Sequence, residues 1–404
     1  MRILWRLWLR PGLFKTIVFI FTFLSLALLL IQSPTRYQPP SEVSIRDQPS
    51  SAKSQIAETD LVPTGPSVES DPIHLPNSDW LPIEHSNREV FVYSAYLDRR
   101  KSQHYVRVIA IVRRRKKVQF CELTYGNITR RVSSKVKMIR ENWNLLYSAA
   151  YILCEIPPDN KRPDTVALVD NNKVDKTSVI PVQITAERAH HGNMSACIKP
   201  FHYEFNRAVW LVEFIELYQL LGTNHFIFYN HTVGPDVQKV LEYYQDEGIV
   251  TVLPWALPVK SQKEIRTEGI FAALNDCSFR SIKRFHYAAM VDVDEYLVPR
   301  GYANLIDLIR ELGVYDVYIF QNVFYYLYWE NDTAIHDTFY GNKNERSLGY
   351  SLLGEEDQFP YLLTAYKTRR LTKVHKPGTR SKYIVRPEQV VEVGNHNVWE
   401  HVGK

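Results

Sequence analysis

Apolar positions change their spacing several times along the 404-residue chain. From Thr16 to Ile31 they run without a charge, and the uncharged stretch continues to Thr35. From Gln32 to about Asn87 they thin out among Pro, Ser and acids, too few to bury the surface that would order the backbone. At 89–97 and 104–112 β-branched and aromatic residues alternate or form short runs, as strands do. The "RRRKK" run at 113–117 reads as a solvated loop, and a further strand follows it. These patterns predict a β-rich module over 88–180.

Beyond about Val182 the period switches back and forth. Residues 195–201 predict a short buried strand. Residues 206–222 predict a helix, with Val209, Val212, Leu217, Leu220 and Leu221 near helical spacing and Gly222 as its stop. A strand at 225–230 precedes a helix at 234–248, opened by Pro235 and closed by Gly248. Strands at 249–255 and 285–291 flank a helix within 262–283. Alternation of this kind predicts an α/β domain over 181–404. In such sheets ligands collect at the carboxyl ends of the strands.

Composition adds limits. With 45% hydrophobic and 13% aromatic residues the chain can fill a large core. The net charge of +5 is small and concentrated in Arg2, Arg6, Arg10, Lys15 and the 113–117 run, which gives no case for a nucleic-acid partner. Basic residues ahead of the apolar span keep an N-terminus in the cytosol. The span exceeds the hydrophobic region of a cleaved signal, and "IQSPTRY" lacks a small-residue cleavage site. The expectation is a cytosolic tail (1–15), a transmembrane signal anchor (16–35), a disordered stem (36–87) and a lumenal remainder. Sequons at Asn127, Asn193, Asn230 and Asn331 agree as glycosylation sites. Cys121, Cys154, Cys197 and Cys277 lack metal or redox spacing. In an oxidising lumen four cysteines allow three connectivities, and buried free thiols are the other reading; one pair per region favours Cys121–Cys154 and Cys197–Cys277.

The chemistry concentrates in "AAMVDVDEYLVP" at 288–299, where an apolar strand ends in Asp292, Asp294 and Glu295. Carboxylates at i and i+2 of a strand end can turn toward one hard divalent ion, Mg²⁺ or Mn²⁺. An exposed acidic turn explains the same letters. A calcium loop starting at Asp292 fails, because Leu297 and Ala303 stand where its Gly and Glu belong. A haloacid-dehalogenase phosphatase would need Thr or Val where Tyr296 stands. The D-x-D of a nucleotide-sugar transferase suits both the α/β order and a lumenal domain.

Several ordered segments carry a resemblance: "CIKPFHYEFNRAVWLVEFIELYQLLGTNHFIFYNH" (197–231), "AALNDCSFR" (272–280), "VDVDEYLVP" (291–299) and "KYIVRPEQVVEVGNH" (382–396). Over roughly 89–404 the chain resembles glycosyltransferase family 92, and within it the animal β-1,4-galactosyltransferases. That resemblance implies a GT-A-type catalytic fold in a type II Golgi membrane protein. It implies UDP-galactose as donor, Mn²⁺ or Mg²⁺ as cofactor, and acceptor glycans on glycoproteins or glycolipids. It assigns metal and UDP-sugar binding to Asp292 and Asp294, with His396 completing the metal set. Lys382 and Arg386 are basic residues that suit the diphosphate. A β-linkage made from an α-linked donor inverts the sugar and needs a carboxylate base, for which Glu355, Glu356 and Asp357 are the candidates. The aromatic block at 323–329 suits core packing first and a sugar-stacking face second. Two other outcomes fit the same sequence: a glycan- or UDP-binding pseudoenzyme, and a transferase with another UDP-sugar donor.

Overall fold

The computed structural model describes residues 79–157, 161–170, 173–174, 178–183, 192–332 and 362–403. The expected tail and anchor, and the stem up to residue 78, lie outside these residues. Among the described residues no helix is long and apolar enough to cross a membrane.

The N-terminal half is a nine-stranded sheet. It comprises β1 (Leu81–Pro82), β2 (Val90–Asp98), β3 (Tyr105–Arg113), β4 (Phe120–Tyr125), β5 (Ile128–Met138), β6 (Tyr147–Glu155), β7 (Thr165–Asp170), β8 (Lys173–Val174) and β9 (Ile180–Gln183). Because β9 pairs with both β2 and β7, the order β2-β3-β6-β5-β4-β7-β9 closes on itself as a barrel. Val92, Val108, Ala110, Ile152 and Leu168 fill it. The module therefore extends beyond the boundaries expected from sequence. Trp80 and β1, placed in the stem by their polar surroundings, join it: Trp80 is buried, with its ring centroid 5.0 Å from those of both Tyr93 and Trp255. At the other end β9 belongs to the barrel.

The C-terminal half is built on a six-stranded sheet of order β12-β11-β10-β13-β15-β14. Strands β10 (Gly192–Ile198), β11 (His225–Asn230), β12 (Val250–Pro254) and β13 (Phe285–Val291) are parallel. Strand β15 (Lys382–Val385) runs antiparallel to β13, and β14 (Val317–Phe320) antiparallel to β15. The chain steps from β10 outward to β12 and then crosses back to lay β13 on the other side of β10. This reversal opens a crevice at the carboxyl ends of β10 and β13. A hairpin of β16 (Val390–Val393) and β17 (Val398–His401) completes the half.

One face of this sheet packs against α1 (Ala208–Leu220), α2 (Pro235–Asp246) and α4 (Leu305–Leu312). On α1 the buried face is Leu211, Phe214, Ile215 and Tyr218, whereas Val209, Val212 and Leu220 are exposed. Helical spacing was legible there, but the sequence offered two apolar stripes and the larger aromatic one packs. The other face is covered by α3 (Ile270–Ser281), all of whose residues are buried, because the barrel lies against its far side. Phe91, Tyr96, Ile109 and Tyr151 of the barrel share one core with Trp255, Phe279 and Tyr383 of the α/β half. Strand β2 is thus buried on both faces. The expected disulfides are present: Cys121–Cys154 joins β4 to β6, and Cys197–Cys277 joins β10 to α3. The aromatic block at 323–329 is not core: Tyr325, Leu327 and Tyr328 are exposed in irregular chain, and Phe324 stacks on Tyr326.

Candidate active site

Strand β13 delivers Asp292 to the crevice at its last pleat. The turn after it is held by two bonds: Glu295 N–H donates to the Asp292 carbonyl at 3.0 Å, and Asp292 N–H donates to Glu295 Oε2 at 3.1 Å. From α1, Tyr218 pins the turn's far side. Its hydroxyl donates to the Glu295 carbonyl at 3.0 Å and accepts from Leu297 N–H at 3.2 Å.

Between the acids sits Lys382, the first residue of β15, which antiparallel pairing brings beside the end of β13. Its Nζ lies 3.2 Å from Asp292 Oδ2, 3.0 Å from Glu295 Oε2 and 3.0 Å from Asn395 Oδ1. Lys199, one residue past β10, adds a second ammonium 3.7 Å from Asp292 Oδ2. Burial works against charge at Asp292, but Lys382 and then Lys199 outweigh it, so its pKa falls below the ordinary value. Glu295 goes the other way: burial first, then the Asp292 charge, pushes its pKa up to about 7 despite Lys382. Burial also opposes the Lys382 charge, yet the two carboxylates hold its pKa above that of a free lysine.

His396 lies in the turn between β16 and β17. Its Nδ1 is 3.1 Å from the Ser381 carbonyl, which can only accept, so Nδ1 carries the proton. Nε2 is left as the lone-pair nitrogen, 3.0 Å from the Asn395 amide nitrogen. Burial, helped by the Lys382 charge, lowers the His396 pKa and keeps the ring neutral at pH 7. Asp294 is exposed and makes no hydrogen bond or ion pair among the described residues. Among the described residues no three His, Cys, Asp or Glu side chains converge on one ion position. The donor chemistry still suits a hard ion: an exposed carboxylate at Asp294, a second at Asp292 and an imidazole whose Nε2 lone pair, now accepting from the Asn395 amide, is the one a metal would take. Such ions complete their shells with substrate phosphate oxygens rather than with an all-protein cage.

Arg386 is placed elsewhere. It follows the last residue of β15, four residues on from Lys382, or about 13 Å along a strand. Antiparallel pairing sends it toward the amino end of β13, where its N–H bonds the Asp316 carbonyl. It is therefore corrected out of the diphosphate site. Glu355, Glu356 and Asp357 lie outside the described residues. Asn127, Asn193 and Asn331 are exposed, as glycan attachment requires, whereas Asn230 is half-buried with its amide oxygen enclosed and unpartnered.

Sequence reasoning missed the neighbouring pocket of about 450 Å³, lined by His202, Tyr203, His231, Thr232, Ser261 and Glu268. It opens where the segments after β10 and β11 meet the loop leading into α3. Glu268 is buried at φ 50° beside Thr267 at φ 46°, both left-handed without being glycine. Its carboxylate accepts from Ser261 Oγ at 2.7 Å and lies 3.3 Å from His202 Nε2. Burial lowers the His202 pKa, with Glu268 opposing in part. The carboxyl-end rule applied to β10 would have flagged Lys199 and His202, but nothing local flags Glu268. Together the lysine-bridged acids and this pocket place paired charges beside a polar cavity, at one end of one sheet.

The sequence profile of glycosyltransferase family 92 matches residues 192–404, just over half of the chain. A glycosyltransferase family 92 protein of Caenorhabditis elegans is 25% identical over 126 residues, covering 29% of this chain and 25% of that protein. The match thus spans about a quarter of the length of that relative.

Proposed function

The chain belongs to glycosyltransferase family 92, and from that premise we propose that its crevice transfers a hexose from a nucleotide sugar to an acceptor glycan. The observation that carries this is Lys382 bridging Asp292 and Glu295 at the switch point of the sheet. Galactose from UDP-galactose, moved in β-1,4 linkage to a glycoprotein or glycolipid, is the specific reaction proposed. Lys199 and Lys382 meet the diphosphate, and the pocket around His202 and Glu268 receives the nucleoside. Asp292 and Asp294, with His396, hold Mn²⁺ or Mg²⁺, which when bound neutralises charge on the leaving diphosphate. His396 is prepared for this by the Ser381 carbonyl, which fixes the proton on Nδ1. Inversion calls for a base, proposed among Glu355, Glu356 and Asp357. The expected anchor and Golgi lumen remain part of this reading.

A donor screen tests it. The full chain is incubated with UDP-galactose, UDP-GlcNAc and UDP-glucose, with Mn²⁺ or with EDTA, over galactose- and fucose-terminated acceptors. Galactose transfer that stops in EDTA and falls at least 100-fold in Asp294→Asn is expected. Asp294 is exposed and unbonded, so its loss leaves the fold intact. Undiminished transfer by Asp294→Asn removes the proposed site, and transfer of another sugar alone replaces the donor.

A further inference from the structure

The β5–β6 loop of the barrel, residues 139–146, lies outside the stretch matched by the family profile. It nevertheless contacts the α/β half at both of its ends. At one end Glu141 accepts from Trp399 Nε1 at 2.6 Å and, more loosely, from Asn395 N–H at 3.5 Å. It packs so closely on Gly394 that a Cβ there would collide with its carboxylate. Glu141 thereby braces the turn that carries Asn395 and His396. Burial raises its pKa, and the charge on Lys382 is near enough to oppose that rise. At the other end Tyr147 N–H donates to the Glu264 carbonyl at 2.8 Å, within the loop that carries Ser261 and Glu268. The β5–β6 loop therefore runs from the His396 turn to the loop that carries Ser261 and Glu268.

At its tip Trp143 is 63% exposed, an unusual position for the largest apolar side chain. Trp143 and Asn144 both have left-handed backbone, at φ 53° and 57°. Neither is glycine, so surrounding bonds must hold them there. Asn142 does so, with Oδ1 accepting from Asn144 N–H at 3.1 Å. The Arg266 guanidinium sits 4.8 Å from the centre of the Trp143 ring and fixes one face of it. The exposed indole thus has one face against Arg266 and the other open, with planar polar groups nearby.

We propose that Trp143 is a stacking platform for a pyranose ring of the acceptor glycan, supplied to the α/β half by the barrel. The inference rests on the transferase reading of the crevice. A pyranose suits the place: its C–H face covers an indole, and its hydroxyls meet the amides of Asn142 and Asn144 and the Arg266 guanidinium. An indole held beforehand loses little freedom when it binds.

The test uses the full chain and its Trp143→Ala and Trp143→Phe variants on an array of oligosaccharides ending in galactose, fucose, N-acetylglucosamine or mannose. UDP binding is measured by calorimetry on the same preparations. Saccharide binding that falls at least tenfold in Trp143→Ala and recovers in Trp143→Phe, with UDP binding equal in all three, supports the platform. Equal saccharide binding by wild type and Trp143→Ala overturns it, as does a wild type that binds UDP and no saccharide. Absence of UDP binding with intact, Trp143-dependent saccharide binding keeps the platform and removes the transferase reading instead.

Discussion

Lys382 decides what the acidic strand end can be. Three acids in four positions would repel one another if left alone, and buried carboxylates are costly without partners. The ammonium converts two of them into a bridged pair and leaves Asp294 free. Lys382→Met should therefore destabilise the chain by about 3 kcal/mol in urea at pH 7, the range for breaking a buried ion pair from one side. A change under 1 kcal/mol would mean the bridge is solvated. Glu400 offers a separate pH test. Burial pushes its pKa up, but hydrogen bonds from Lys137 and Lys101 more than offset that and hold it at about 2, against an ordinary value of 4.5. A depressed carboxylate pKa stabilises above the unfolded value and loses that contribution as pH falls. Glu400→Gln should be less stable than wild type above pH 4.5, and the gap should close by about pH 2 in urea titrations. A gap independent of pH would assign the loss to packing. At this scale the acids were legible because they end a strand with a clear pattern, whereas Lys382 and His396 were singled out only through the segments that carry the family resemblance. Glu268 and Trp143 were not, since their roles arise from contacts between distant elements and from backbone angles that no local motif announces.

Among elements, α3 joins the two halves. Asp276 accepts from Tyr96 at 2.6 Å, Tyr229 at 2.7 Å and Arg280 Nε at 2.6 Å, and also from Ser94. Ser94 and Tyr96 come from barrel strand β2, whereas Tyr229 comes from β11. Asp276→Ala would remove the carboxylate that faces the buried Arg280 guanidinium and accepts from the hydroxyls of Ser94, Tyr96 and Tyr229. A loss of about 3–5 kcal/mol in urea unfolding is expected. Wild-type stability in this variant would contradict the account of α3 as the joint. The strands and helices themselves were readable from period and punctuation: predicted strands 225–230 and 285–291 match β11 and β13 to the residue. The polar residues on α3 gave no such signal, because a helix buried on all sides lacks the one-sided stripe that periodicity detects.

For the whole molecule, the barrel is a structural part of the α/β half rather than an appendage. Trp255, Phe279 and Tyr383 are each less than 3% exposed because the barrel and the α/β half share a core. Each such aromatic buries on the order of 200 Å², roughly 5 kcal/mol as an upper bound. A chain cut to 192–404, the stretch matched by the family profile, should therefore aggregate or bind hydrophobic dye. A monodisperse, cooperatively folding fragment would contradict this. The barrel's closure was illegible in sequence, since its seam pairs β9 with β2 across more than eighty residues. The crevice it helps to rim is the central claim, and Lys199→Met tests it with little risk to the fold, because Lys199 is partly exposed and among the described residues has one ion pair, at 3.7 Å. The direct measurement is calorimetric titration of UDP into the full chain and into this variant. The account predicts saturable binding by wild type and at least tenfold weaker binding by Lys199→Met; equal affinity, or no binding by either chain, would contradict it.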